Sequence, residues 1–475
     1  MNFAQIYTDA PARLAQMPVE GVTCDSRKVR KNTVFVCIVG SAQDGHVYAK
    51  QAYESGASVI VCQKDLGLPN QLIVEDSRQV YAQMCAAYFG STASKLKLIG
   101  VTGTSGKTTV SYMLKSLLEQ NGCKVGLIGT IQNMIGSDTL PAKNTTPDAY
   151  ELHSLFALML KAGCEYVVME VSSHALDQKR VWGLHFDCGI FTNLTQDHLD
   201  YHQTMENYLE AKKQLFKMSS CAVVNKDDLY AQDILAVCNG KTYTYSAKSN
   251  NCDFSAKEIR YLPTGVSYEL VSNGLIGRVK VRIPGMFSVY NSMAAGIAAI
   301  ALGFDFHQVV RELANVQGVK GRVEVVPGDQ DYTMIIDYAH TPDELKNVIS
   351  MLNMIKQGRM VTLFGCGGDR DKTKRPLMGE IAAQLSDFVI VTSDNPRSEK
   401  PAAIIEDILK GMQGCDTPYV VIENRAEAIA YAIEHAQPGD MILFAGKGHE
   451  TYQILNTGTI HFDEREVIAG VLASK

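Results

Sequence analysis

Short β-rich apolar runs recur along the chain and alternate with helix-like stretches. They include ASVIVC (57–62), QLIVE (71–75), KLIGVT (97–102), EYVVMEV (165–171), CGIFTN (188–193), CAVVN (221–225), TMIID (333–337), MVTLFG (360–365), FVIVTS (388–393), YVVIEN (419–424) and MILFAG (441–446). Runs that are apolar on both faces suit parallel strands covered by helices, and not strands with one wet face. The fold class is therefore α/β with mostly parallel sheets. Many of these strands end in polar, Gly-rich text, as expected where ligands sit at the carboxyl ends of strands. A chain of 475 residues is too long for one core, and about two to four domains are expected. Composition shifts near FGSTASKLK (89–97) and VQGVKGRVEVV (316–326) place two joins. The expectation is three domains, 1–94, 95–321 and 322–475.

Bulk composition narrows the function classes. The net charge of −6 argues against a protein held to nucleic acid by phosphate contacts. The twelve cysteines are scattered, with no C-x-x-C pair. That pattern fits small core residues in a reducing compartment and not a disulfide frame or zinc site. The N-terminal stretch MNFAQIYTDAPARLAQMP has no basic head followed by an apolar run, and no apolar stretch is long enough to span a bilayer. A cytoplasmic protein without membrane or nucleic-acid partners is expected.

The segment KLIGVTGTSGKTTVSYMLKSLLEQNG (97–122) carries the strongest local chemistry. A strand should run to Thr102, a Gly-rich turn should follow, and a helix should run from about Lys107 to Gly122. Gly103 and Gly106 let the loop turn its N–H groups inward, and the helix N-terminus adds its positive dipole end. Lys107 is placed to reach the β- and γ-phosphates, and Thr108 to ligate Mg²⁺. A plain glycine-bearing βα turn is the bland alternative, disfavoured by Gly-Lys-Thr in this context. The common P-loop pattern would want Gly where Val101 stands, so GTPase and ordinary kinase readings lose ground.

With GTSGKTT (103–109) stand NTTPDAYELH (144–153), MEVSSHAL (169–176), FTNLTQDHLDYH (191–202), PGMFSVYNSMAA (284–295), KGRVE (320–324), IIDYAHTPDEL (335–345), GCGGDRDKTKRP (365–376), SDNPR (393–397) and AGKGHETYQ (445–453). Through these motifs, in this order, the chain resembles the Mur ligase family, ATP-dependent enzymes that build the peptide of the peptidoglycan precursor. The resemblance covers about residues 20 to 465. It is nearest to the members that add the third residue to UDP-N-acetylmuramoyl-L-alanyl-D-glutamate. It implies an N-terminal UDP-binding domain, a central P-loop-type ATPase domain and a C-terminal Rossmann-like domain. It also implies a closing motion of the C-terminal domain that gates catalysis.

The same resemblance implies roles for residues. Gly103, Thr104, Ser105, Gly106, Lys107, Thr108 and Thr109 would hold ATP, with Asn291, Arg322 and Asp337 as further contacts. Lys107, Glu170, His198 and Lys212 would be catalytic. Thr108, Glu170, His198 and Lys212, the last as a carbamate, would hold Mg²⁺. A carbamylated lysine becomes a carboxylate-like anion, whereas an ammonium would repel the metal. Read without the family, Lys212 and Lys213 in NYLEAKKQLF suit a solvated basic face, and His198 a helix-start residue. Asn144, Thr145, Thr146, Ser172, Gln178 and Arg180 would grip the muramoyl-dipeptide, although NTTPD suits a helix cap equally well. Ser26, Ser41, Ala42 and Gln43 would contact the uridine side. His340 would line the active site without a fixed role.

Arg370, Asp394, Asn395, Pro396, Arg397, Gly446 and Glu450 would take the incoming amino acid. A guanidinium fork suits the far carboxylate of meso-diaminopimelate, and Glu450 its far ammonium. Family members that add diaminopimelate carry D-N-P-R, and lysine-adding members usually differ at its last position. The expected function is ATP-dependent ligation of meso-diaminopimelate by a monomer, with lysine addition as the alternative. A P-loop switch without ligase activity is the reading from a different class, and the acid, lysine and C-terminal motifs speak against it.

Overall fold

The computed structural model describes residues 1–40, 43–262 and 265–474. The chain forms two compact units, Met1–Ser255 with Met293–Val309, and Ala256–Ser292 with Val310–Lys475.

Unit one carries two sheets. The first is wholly parallel, with β1 (Gly21–Thr23), β2 (Thr33–Val36), β3 (Ala57–Cys62) and β4 (Gln71–Ile73) in sequential order. The second contains β5 (Lys97–Thr102), β6 (Val125–Ile128), β7 (Gln132–Ile135), β8 (Asp138–Pro141), β9 (Tyr166–Glu170), β10 (Cys188–Phe191), β11 (Cys221–Asn225) and β12 (Lys241–Ser246), in the order β12-β11-β10-β5-β9-β6-β7-β8. The pairings from β12 to β6 are parallel, and the β6–β7–β8 edge is antiparallel. Leu98, Ile99 and Val101 of β5 are all buried, as the doubly apolar run requires. Phe254 and Ser255, the first residues of β13 (Phe254–Leu262), extend this sheet by pairing with Tyr245 and Ser246.

Unit two holds an antiparallel pair, β14 (Gly265–Ser272) and β15 (Leu275–Val281). Asn273 and Gly274 join them with φ of 44° and 83°, the pair of positive values that an Asn-Gly hairpin turn requires. This hairpin is not among the apolar runs from which mostly parallel sheets are expected. Its burial alternates along each strand, so it lacks the continuous apolar run of a parallel strand. The main sheet of the unit comprises β16 (Glu324–Val326), β17 (Thr333–Asp337), β18 (Met360–Phe364), β19 (Phe388–Val391), β20 (Tyr419–Val421) and β21 (Met441–Ala445), ordered β16-β17-β21-β18-β19-β20. Only β16 is antiparallel within it. A small hairpin follows, β22 (Tyr452–Leu455) and β23 (Gly458–His461).

One buried ion pair ties the strand ends of unit two together. Arg425 and Glu464 are both fully buried, and Arg425 Nε donates to Glu464 Oε1 at 2.9 Å. Arg425 Nη2 donates to the carbonyl of Ala445, the last residue of β21, at 2.7 Å, and Nη1 to the carbonyl of Ser393 at 3.3 Å. One guanidinium thus fixes where two functional loops leave the sheet. Arg425→Leu leaves Glu464 as an uncompensated buried charge and is expected to cost about 3–5 kcal/mol. The measurement is the denaturation midpoint of purified protein, with Arg425→Leu/Glu464→Leu expected to recover part of the loss. A midpoint unmoved by the single substitution would remove this role from Arg425.

Candidate active site

In unit one the chemistry gathers at the carboxyl ends of β5, β9 and β10. The loop Gly103–Gly106 leaves β5 and opens the helix Lys107–Gln120. Gly103 has φ of +155°, and a Cβ there would lie 1.9 Å from Thr192 Oγ1, so no other residue fits without moving the loop. The loop is held from the end of β10. Thr104 N donates to the Asn193 carbonyl at 2.9 Å, Ser105 N to Asn193 Oδ1 at 2.9 Å, and Thr192 Oγ1 to the Ser105 carbonyl at 2.7 Å. Lys107 Nζ donates to the Gly103 and Thr104 carbonyls, each at 2.9 Å, which lays the ammonium across the loop.

Glu170 ends β9 and is 1% exposed. Its Oε2 accepts from the Thr108 and Thr130 hydroxyls, each at 2.9 Å, and its Oε1 from Thr130 N at 2.9 Å. Thr130 Oγ1 also lies 3.1 Å from Thr145 Oγ1. Thr146 Oγ1 donates to the Glu170 carbonyl at 2.9 Å and accepts from Ser172 N at 3.0 Å. Arg180 Nη1 donates to the Thr146 carbonyl at 2.7 Å, and its Nε and Nη2 to Gln178 Oε1 at 3.1 and 2.7 Å. The structure therefore joins Thr108, Glu170, Thr145, Thr146, Ser172, Gln178 and Arg180 in one hydrogen-bonded network. Asn144 precedes them and is exposed, while Thr109 is buried on the phosphate-loop helix. The cap expected for NTTPD is also present, supplied by Asp148, which accepts from Tyr150 N and Glu151 N.

Lys212 and Lys213 separate cleanly. Lys213 pairs with Glu210 at 2.6 Å on the helix Met205–Lys217. Lys212 is 1% exposed, with Nζ 4.5 Å from the centre of the Tyr208 ring. Burial pushes its pKa far below the usual lysine range, the Lys107 charge acts in the same direction, and Asp197 opposes. Lys212 is thus driven toward the neutral amine. Tyr208 links the group together: its hydroxyl lies 3.2 Å from Thr104 Oγ1, and its ring centre lies 6.1 Å from that of His198. His198 precedes the short helix Leu199–His202 at φ of 53°, with Nε2 3.3 Å from Asp197 Oδ2 and its ring 4.9 Å from His174.

The sequence reading named neither Thr130 nor Tyr208. Tyr208 stands four residues before Lys212, a spacing that puts both on one helix face and was available as a signal. Thr130 had no such signal, since only the pairing of β6 with β9 sets it beside Glu170.

Unit two brings the expected amino-acid residues to the ends of β18, β19 and β21. Asp394 and Asn395 are buried after β19. Arg397 follows at φ of 54°, with Nη1 donating to the Gly368 carbonyl at 2.6 Å and its backbone N to the Ile454 carbonyl at 3.1 Å. A Cβ on Gly368 would lie 2.0 Å from the Pro396 carbonyl oxygen, so glycine is required for this approach. Arg370 is exposed, and a Cβ on Gly367 would lie 2.9 Å from Arg397 Nη1 and 3.9 Å from Arg370 Cγ. Asn395 Nδ2 donates to Glu450 Oε2 at 2.9 Å. Gly446 starts the loop after β21, its N donating to the Asp337 carbonyl at 3.0 Å.

The further nucleotide candidates also lie on unit two. Asn291 is buried on the helix Met286–Ala301. Asp337 accepts from Val323 N and Ala339 N, each at 2.8 Å, and burial raises its pKa although Arg322 pulls the other way. The Arg322 guanidinium lies 5.1 Å from the Tyr338 ring centre. His340 Nδ1 lies 2.9 Å from the Tyr338 carbonyl, and Lys374 Nζ donates to the His340 carbonyl at 2.7 Å.

On the N-terminal sheet, Ser26 opens a 3₁₀ turn capped by Asp25, and Gln43 Oε1 accepts from Tyr48 at 3.2 Å. Ser41 and Ala42 lie outside the described residues. A cavity of about 570 Å³ opens beside Thr23, Cys24, Asp25 and Lys28. A larger one, about 840 Å³, is lined by Trp182, Tyr201 and the Asn207, Glu210 and Gln214 face of the Lys212 helix. It contains none of the site residues expected from the sequence.

Comparison with known proteins agrees with this geometry. Residues 18–88 match the Mur ligase family catalytic domain, residues 101–299 the Mur ligase middle domain, and residues 321–448 the Mur ligase glutamate ligase domain. The chain is 47% identical over 462 residues to the UDP-N-acetylmuramoyl-L-alanyl-D-glutamate–2,6-diaminopimelate ligase of Caldanaerobacter subterraneus subsp. tengcongensis, covering 96% of this chain and 95% of that one. It is 43% identical over 459 residues to the enzyme of the same name from Bacillus velezensis, covering 94% and 93%. A solved structure of a ligase with that name superposes with a TM-score of 0.77 at 33% identity, covering 100% of this chain and 99% of that one. Matched along almost its whole length and at all three domain models, the chain belongs to the Mur ligase family.

Proposed function

We propose that the chain ligates meso-diaminopimelate to the D-glutamate of UDP-N-acetylmuramoyl-L-alanyl-D-glutamate at the expense of ATP, a step in peptidoglycan precursor synthesis. The observation that carries this reading is the turn Asp394–Arg397. There a half-buried guanidinium stands two residues from Asn395, whose side chain is bonded to Glu450. A guanidinium and a carboxylate are the complements of the far carboxylate and far ammonium of diaminopimelate. Relatives 42–47% identical to this chain bear the name of that activity.

In this reading the reaction has two steps. The γ-phosphoryl group of ATP passes to the D-glutamate side-chain carboxylate, giving an acyl phosphate and ADP. The diaminopimelate amine then attacks the acyl carbon, inorganic phosphate leaves, and the amine sheds a proton as the amide forms. The loop Gly103–Gly106 shapes the phosphate site, and the helix N-terminus at Gly106–Thr108 together with Lys107 is assigned to the phosphates at the start of the helix Lys107–Gln120. Thr109, Asn291, Arg322 and Asp337 are assigned to the nucleotide. Asn144, Thr145, Thr146, Ser172, Gln178 and Arg180 are assigned to the muramoyl-dipeptide, and Ser26, Ser41, Ala42 and Gln43 to the uridine. Arg370, Asp394, Asn395, Pro396, Arg397, Gly446 and Glu450 are assigned to the amino acid.

The donor set fits magnesium. The buried Glu170 carboxylate is met by two hydroxyls, a hard-oxygen set of the kind Mg²⁺ takes. Bound there, the ion would supply charge neutralisation at the transferring phosphate. Thr108, Glu170, His198 and Lys212 as a carbamate are the proposed holders. Carbamylation needs a neutral amine: the Lys212 nitrogen attacks CO₂, an N–C bond forms and a proton leaves. The burial that drives Lys212 toward neutrality supports this.

Three domains, 1–94, 95–321 and 322–475, are proposed as the functional division. Among the described residues no helix is long and apolar enough to cross a membrane. All twelve cysteines are free thiols, which supports a reducing, cytoplasmic setting; a monomer is proposed.

Phosphate release is expected to require both the UDP-muramoyl-dipeptide and an amino acid, with meso-diaminopimelate the best of a panel. Lysine outperforming it would overturn the substrate assignment, and basal hydrolysis indifferent to both would favour a switch. Arg397→Ala should lower kcat/KM for diaminopimelate and raise that for lysine, so that a roughly 10²-fold preference is lost. Lys212→Ala should lose about 10²-fold or more in kcat, with partial rescue by formate or acetate. Full activity in that variant would end the carbamate assignment.

A further inference from the structure

Lys447 is fully buried beneath the amino-acid loops, and no role was expected for it from the sequence. Its three ammonium protons meet three acceptors: Glu450 Oε2 at 2.9 Å, Asn395 Oδ1 at 3.2 Å and Asp394 Oδ1 at 3.5 Å. Asn395 repeats the link, giving its Nδ2 to Glu450 Oε2 while its Oδ1 also accepts from Ile454 N at 2.9 Å. Both donors fall on one oxygen of Glu450. The other, Oε1, takes only the Tyr452 hydroxyl among the described residues, at 3.5 Å, the edge of hydrogen-bond range. The carboxylate is thereby turned, with one oxygen anchored inward and one left for a ligand.

The charges add to the same end. Asp394, Glu450 and Lys447 together carry one net negative charge, which a single ligand ammonium cancels. Without Lys447 the pocket would hold two adjacent carboxylates, with Glu450 Oε2 anchored by Asn395 Nδ2 alone.

We propose that Lys447 is a positioning residue that presents Glu450 Oε1 to the far ammonium of the incoming amino acid. This rests on the assignment of Glu450 to the amino-acid pocket. It requires that Lys447 matter only for ligands carrying a far ammonium. Three amino acids separate the contributions: meso-diaminopimelate, lysine, and 2-aminopimelate, which keeps the far carboxylate and lacks the far ammonium.

In Lys447→Met the KM for diaminopimelate and for lysine is expected to rise by roughly 30-fold or more. The KM for 2-aminopimelate and for ATP should stay within about twofold of the parent protein, read in the same assay. Glu450→Gln should reproduce the pattern, and the double variant should be no worse than the worse single. A loss shared equally by all three amino acids, or a fall in kcat and thermal midpoint with every KM unchanged, would make Lys447 merely structural and overturn the proposal. Glu450→Gln without effect on diaminopimelate would instead remove the underlying assignment of Glu450. An effect of Glu450→Gln with none from Lys447→Met would remove only the positioning role. If Lys447→Met does not fold, Lys447→Arg keeps the cation and displaces it, and the same contrast between diaminopimelate and 2-aminopimelate decides. Failure of both variants to fold would assign Lys447 to folding alone.

Discussion

A charge buried at the end of a parallel strand must be met by groups from neighbouring loops, and the architecture of this protein turns on that demand. Glu170 shows it most plainly. It is 1% exposed at the end of β9, and its carboxylate oxygens accept from Thr108 and from the amide and hydroxyl of Thr130. These donors come from the phosphate-loop helix and from the residue two beyond β6, both adjacent in space only because β5, β9 and β6 are neighbours. An unsatisfied carboxylate here would cost several kcal/mol. The sheet order and the site chemistry are therefore one constraint: the strands must pair in this way for the carboxylate to be tolerated, and its tolerance fixes three loops together. Arg425 plays the corresponding part in unit two, where one guanidinium holds the Ser393 and Ala445 carbonyls against the buried Glu464.

Much of this was legible in the sequence because the chemistry of parallel sheets leaves a linear trace. Runs such as KLIGVT and MILFAG are apolar on both faces, and both became buried parallel strands. The phosphate loop was legible because Gly103 and Gly106 are demanded by backbone geometry, with φ of 155° and 86°. The grouping of Thr146, Ser172 and Arg180 followed from motif resemblance, and the hydrogen bonds among them supply its physical basis.

What the sequence did not yield depends on contacts without a linear trace. Thr130 meets Glu170 across two strands, 40 residues apart in sequence. Lys447 reads as one more polar residue in a glycine-rich loop until the fold buries it against Asp394 and Asn395, more than 50 residues away. The β14–β15 hairpin is a different case. Its Asn273-Gly274 turn and alternating pattern are in the sequence, but a half-exposed antiparallel pair lacks the continuous apolar run that marks the parallel strands. Lys212 and Lys213 lay between these cases: read alone both suit a solvated basic face, the motif resemblance points to Lys212, and packing buries Lys212 while Lys213 pairs with Glu210.

On the proposed assignment, discrimination between diaminopimelate and lysine would follow from how Arg397 is held. One of its terminal nitrogens is committed to the Gly368 carbonyl, and its backbone is pinned to Ile454 in a left-handed turn that a non-glycine residue adopts at some cost. The fork is thus fixed before any ligand arrives, and little side-chain entropy remains to be lost on binding. Its remaining donors are half in water in the free protein. On the proposed assignment, a ligand that covers them without offering a carboxylate would strip that water and return nothing, a penalty that would fall on lysine and not on diaminopimelate. Glu450 would not make this distinction, since both amino acids carry the far ammonium. Affinity for the far end would then divide into two separable parts: a carboxylate that accepts either substrate, and a guanidinium that admits only the one with an anion to match it.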